Sequence, residues 1–198
     1  KNYISYSDAQ FHKDFDQKTN ESNRLEKATI HCVSNEIITS IETILMQLKA
    51  EKKRLEDLIK RHFNQHPNLK EDRALLESIP GIGPIVSRLM ISVIRSRNFK
   101  AAPQCAAFLG LVPVQHESGS SVRGKSRLSK AGNARIRTKL YMAAIVAIKH
   151  NPDIKQQYER LLKNGKSKMS ALGAAMRKLV QICFGVLKHQ TPYQSQVI

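Results

Sequence analysis

From about Arg24 to Asn64 the chain carries neither glycine nor proline, and Ile30, Ile37, Ile41, Ile44, Leu48, Leu55 and Leu58 recur at the a and d positions of a heptad. Ser34, Glu51 and His62 occupy the same seam as polar residues. A stripe this narrow on so long a helix suits a partner helix, so the pattern predicts a coiled-coil helix over 24–66 and self-association through it. A long helix packed on the rest of the chain satisfies the same pattern. The preceding residues 1–23 are polar and without clear periodicity, and are expected to be a linker or the remnant of a neighbouring segment.

His66 and Pro67 interrupt the helix. Asp72 to Leu111 then gives helix, tight turn, helix and short helix, with Ile79-Pro80-Gly81-Ile82-Gly83-Pro84 as the turn and Pro84 at the first helical position, where its missing N–H costs nothing. This is the pattern of a helix-hairpin-helix. Gly81 and Gly83 are its candidate phosphate contacts, because glycine lets backbone N–H groups at a helix N-terminus come close to an anion. The same turn can exist for close packing alone. Pro113 to Asn133 is rich in glycine, serine and basic residues and almost free of apolar ones, so it is expected to be a long loop of functional kind. Helical spacing returns from Ala134 to His150, ends at Asn151-Pro152, and continues through about 153–163 and 170–188. No strand pattern is evident. The expected fold is all-α: a coiled-coil helix, then a compact helical domain over 72–192.

Charge sharpens this picture. The chain carries +17 formally, yet Lys1 to Glu117 holds 17 basic residues against 14 acidic, while Ser118 to Ile198 holds 16 against only Asp153 and Glu159. Such asymmetry points to one face that meets phosphates, although a solvated basic surface would have the same count. Cys32, Cys105 and Cys183 form no paired motif and are expected to be core residues of a reduced compartment. The seven histidines form no set at metal-ligand spacing, so no metal is expected in this chain. No membrane span and no signal peptide are apparent, and the expected location is cytoplasmic.

Within the loop, Ser118 stands upstream of Arg123, Lys125, Arg127, Lys130, Arg135 and Arg137, with no acid before Asp153. Phosphoryl transfer depends on positioning and on stabilised charge, and this cluster could supply the second. Spacing does not identify a base, since His116 and Glu117 are neighbours in sequence only. On the residues alone, a flexible basic loop gripping backbone phosphates is a better reading than a catalytic serine. The six cations are candidate phosphate contacts, with Gly124 and Gly132 allowing close approach. Arg177 and Lys178 are candidates to extend the surface, and Tyr141 and Tyr158 could stack on bases or pack in the core.

Four runs in order, Leu75–Gly83, Ala106–Pro113, Glu117–Gly124 and Ser129–Asn133, closely resemble the C-terminal transposase domain of the IS110 and IS116 family of insertion-sequence transposases, which includes pilin-gene invertases and bridge-RNA-guided recombinases. The resemblance implies a bacterial, nucleoid-associated, site-specific DNA recombinase in which Ser118 attacks the DNA backbone to form a phosphoserine intermediate. It further implies that Mg2+ is bound by acidic residues of an N-terminal RNase-H-like domain, that subunits join through the coiled coil, and that the partners are DNA and, in guided members, a guide RNA. No strand-rich segment with spaced carboxylates is present here, so these residues are expected not to cut DNA alone. Two other readings are a non-catalytic helix-hairpin-helix module that binds nucleic acid, and an assembly module whose coiled coil is its purpose.

Overall fold

The computed structural model describes residues 17–31, 34–115, 117–118, 122–123 and 127–196. They fall into two compact units, Lys1–Pro67 and Asn68–Ile198.

The first unit is a pair of helices, α1 over 17–30 and α2 over Asn35–Gln65. The stretch expected to form one helix over 24–66 is therefore interrupted near residue 31, and residues 17–23, expected to be linker, are helical. Both differences have a physical cause. His31-Cys32-Val33-Ser34-Asn35 is a run of weak helix formers, and Ser34 has extended ψ, the conformation that starts a new helix. Residues 17–23 are drawn into helix by their C-terminal neighbours, because Leu25 and Ala28 pack against Ile38, Ile41 and Leu45 of α2. That packing stripe is offset from the heptad seam: Ile41 belongs to both, whereas Ile30, Ile37 and Leu58 of the seam are 67%, 47% and 39% exposed.

The second unit begins with α3 (Pro67–Glu77) and α4 (Pro84–Ser96), joined by the Ser78–Gly83 turn. Asp72 is 1% exposed and accepts two hydrogen bonds of 2.7 Å from the Arg95 guanidinium, while Glu77 accepts one from Ser87 Oγ. These cross-links run the two helices side by side in opposite directions. After α5 (Ala102–Phe108), the segment expected to be a loop contains four two-residue strands: β1 (Pro113–Val114), β2 (Glu117–Ser118), β3 (Val122–Arg123) and β4 (Arg127–Leu128). β1 pairs antiparallel with β4, and β2 with β3, so the segment is a nested ribbon. Two-residue ladders carry no readable alternation, which is why the sequence pattern predicts none.

α6 (Ala134–His150), α7 (Pro152–Lys163) and α8 (Lys168–His189) complete the unit, and α8 packs against α5, α6 and α7. The core lies along α8, where Ala171, Ala175, Leu179, Val180 and Cys183 are almost inaccessible. By length and composition alone α8 could cross a membrane, yet most of that apolar window is buried inside the unit, as in the central helix of a helical core. Cys105 and Cys183 are buried free thiols, and burial pushes Cys105 up to about 11 and Cys183 higher still, which makes both inert packing residues.

Candidate nucleic-acid interface

The ribbon is held at its base by reciprocal backbone contacts between two segments far apart in sequence. Gly110 adopts φ +70°, and a Cβ there would lie 2.8 Å from the Ala131 nitrogen and 2.9 Å from that of Gly132. A Cβ on Gly132 would in turn lie 2.8 Å from the Leu109 Cα. Each glycine therefore exists so that the other's strand can come close. Hydrogen bonds from Ser129 N to the Val112 carbonyl and from Lys130 N to the Gly110 carbonyl close the clasp, with Lys130 at φ +54°. Arg137 adds its guanidinium, whose Nη1 donates to the Gly132 carbonyl and, at 3.5 Å, to that of Leu109. Below the clasp, Leu128 of β4 rests on Gly173 of α8, where a Cβ would meet its Cδ1 at 3.3 Å.

The ribbon thus stands on the core, and Ser118 lies on its outgoing strand, opposite Val122. Two residues separate the ladders on the outgoing strand and three on the return, so the register shifts by one. The side chains of Ser118 and Arg123, and residues Gly124 and Lys125 entirely, lie outside the described residues. At the ribbon's foot, Arg127, Lys130 and Arg135 are exposed together. The foot carries one cation that sequence reasoning missed. Arg97 stacks over the Phe108 ring at 4.3 Å, and the Phe108 backbone is part of the clasp. A Phe-Leu-Gly run gives no local sign of the ring's cationic partner eleven residues upstream.

The predicted glycine contacts divide. Gly81 has φ +101°, and a Cβ there would lie 2.7 Å from that of Ala147, so its lack of a side chain serves the packing of the turn on α6. Gly83 faces open space, with nothing within 4 Å, and precedes α4 with no side-chain cap. The N-terminus of α6, by contrast, is closed: Asn133 Oδ1 accepts from the Arg135 and Ile136 nitrogens, at 2.9 and 3.4 Å. Of these two helix starts, that of α4 at Gly83-Pro84 is the one with no side chain capping its backbone donors. Among the predicted cations, Arg137 is committed to clasp carbonyls, whereas Arg127, Lys130 and Arg135 stand on the surface. Arg177 lies one turn beyond Gly173 on α8 and is half-buried, as are Tyr141 and Tyr158. Among the described residues no group of three or more His, Cys, Asp or Glu could hold a metal ion.

Comparison with known proteins places these features in a family context. Residues 73–159 match the Transposase IS116/IS110/IS902 family. The pilin gene-inverting proteins of Moraxella bovis and Moraxella lacunata are each 31% identical to the chain over 137 residues, 68% of this chain and 42% of theirs. A probable family 20 transposase of Pseudomonas aeruginosa is 29% identical over 174 residues, 85% of this chain and 50% of that protein. The chain thus spans two fifths to one half of the length of these curated relatives.

Proposed function

We propose, from the premise that this chain resembles transposases of the IS116/IS110/IS902 family, that it is the DNA-binding and nucleophile-bearing part of a site-specific DNA recombinase. The observation that carries the reading is the clasped ribbon. Three of the four runs that resemble the family, Ala106–Pro113, Glu117–Gly124 and Ser129–Asn133, contribute to one structure, in which the Gly110–Gly132 clasp closes the base of the ladders that include Glu117–Ser118.

Ser118 is the nucleophile. Its hydroxyl oxygen attacks a backbone phosphorus, an Oγ–P bond forms as the bond to one deoxyribose oxygen breaks, and the serine proton ends on that leaving oxygen. Arg127, Lys130 and Arg135, with Arg123 and Lys125, offset charge on the phosphate. Gly83 and the open end of α4 add a contact to the backbone without reading sequence. Mg2+ would be held by acidic residues of an RNase-H-like domain, and would there supply Lewis-acid stabilisation of the phosphate. Subunits join through the exposed part of the heptad seam, and in guided relatives a guide RNA accompanies the DNA.

The test combines this chain with a family RNase-H-like domain, cognate DNA, Mg2+ and any guide RNA, and resolves the products on a denaturing gel. The reading expects a DNA-linked protein band that disappears in Ser118→Ala, while DNA binding persists. An assembly that cuts DNA without any such band would make the chain a non-catalytic binding module.

A further inference from the structure

α7, α8 and the C-terminal tail enclose an open groove of about 640 Å³ within the second unit, on surface that the proposed reaction does not use. Gln156, Gln157, Arg160 and Lys163 lie on one face of α7 at helical spacing, with Lys178 of α8 across from them and Gln196 of the tail at the end. Among the described residues, none of Arg160, Lys163 and Lys178 is ion-paired to a carboxylate. Gln157 Oε1 is a buried acceptor with no hydrogen-bond partner.

Two acids also reach the groove, Asp153 and Glu159. Asp153 is occupied by the tail, accepting from Tyr193 Oη at 2.6 Å, Gln196 N at 3.1 Å and Ser195 Oγ at 3.4 Å. Those donors delocalise its charge and fix the tail as the groove's lip. Glu159 is exposed at the rim, where solvent screens it. The groove therefore offers three cations that have no carboxylate ion pair among the described residues, together with amide side chains. That chemistry suits a sugar–phosphate backbone: cations for the phosphates, and the exposed Gln156 amide for sugar or base groups.

We infer that the α7–α8 groove is a second nucleic-acid contact, separate from the ribbon, which grips a backbone through Arg160, Lys163 and Lys178. This rests on the reading of the chain as nucleic-acid-handling and adds a surface to it. The experiment measures binding of the whole chain, by fluorescence anisotropy across a salt series, to a duplex DNA of about 30 base pairs and to a single-stranded RNA of about 30 nucleotides.

Arg160→Gln with Lys163→Gln and Lys178→Gln is expected to weaken binding about tenfold or more and to lower the salt slope by about 2 to 3, with melting unchanged. The probe that suffers identifies the source of the backbone. Should the triple variant melt early, the exposed Lys163→Gln alone is expected to lower the slope by about 1. A control removing the same charge from α2, Lys49→Gln with Lys53→Gln and Lys60→Gln, sets the effect of net charge. A groove variant that loses no more than this control overturns the inference. If Arg127→Gln with Lys130→Gln still weakens binding in that case, the functional reading survives; if the wild type binds neither probe, both fall.

Discussion

At the scale of single residues, three glycines that look alike in sequence have separate tasks. Gly132 is in contact with the Phe108–Leu109 backbone, so Gly132→Ala must push the clasp apart and is expected to cost about 1–3 kcal/mol, read as an early thermal melt. Gly81 serves packing on α6, and Gly83 neither. Gly83→Ala meets no atom and is expected to stay within about 0.5 kcal/mol of wild type while weakening DNA binding. Equal stability losses in the Gly132 and Gly83 variants would contradict this division. None of it was legible from composition, since a glycine needed for a close approach depends on a partner distant in sequence. Tyr193 makes a second residue-level prediction. Burial, then its bond to Asp153, pushes the phenol up to about 12. Its neutral form is thus favoured in the folded state. That stabilisation is intact below about pH 10, the usual tyrosine value, and is lost as pH rises from there towards about 12. Denaturation of wild type and Tyr193→Phe as a function of pH checks this: the stability difference between them should shrink across that window.

At the scale of elements, what the sequence disclosed depended on how local the cause was. The bounds of α6 were readable because Asn133 caps its start and Asn151-Pro152 ends it, both signals written within a few residues of the boundary. The ribbon was not readable, because its strands are two residues long and are held by Leu128 against Gly173 and by the clasp. Likewise α1 forms from polar residues because α2 is there to cover Leu25 and Ala28. If the ribbon depends on its footing, Leu128→Ala should detach it without unfolding the core. The variant should cost roughly 1–2 kcal/mol, since Leu128 is only half-buried, and should open the ribbon to limited proteolysis between residues 115 and 127 while α8 stays protected. Unchanged proteolysis would show that the clasp alone suffices.

At the scale of the whole molecule, the charge asymmetry of the sequence falls between the two units. Nearly all the excess positive charge lies beyond residue 117, within the unit that bears the ribbon. The first unit leaves part of an apolar seam uncovered at Ile37 and Leu58. Self-association through that seam predicts that Ile37→Asp with Leu58→Asp lowers the mass seen by sedimentation to that of a monomer, with helicity retained; an unchanged mass would remove the seam from the assembly. Whether the ribbon carries a nucleophile is read from where the covalent bond to DNA forms. Mass spectrometry of a proteolysed DNA adduct, formed in the Mg2+-supplied assembly, should find the nucleotide on Ser118, with the neighbouring Ser120 and Ser121 unmodified. Attachment to any other residue, or DNA cleavage with no attachment at all, would contradict it.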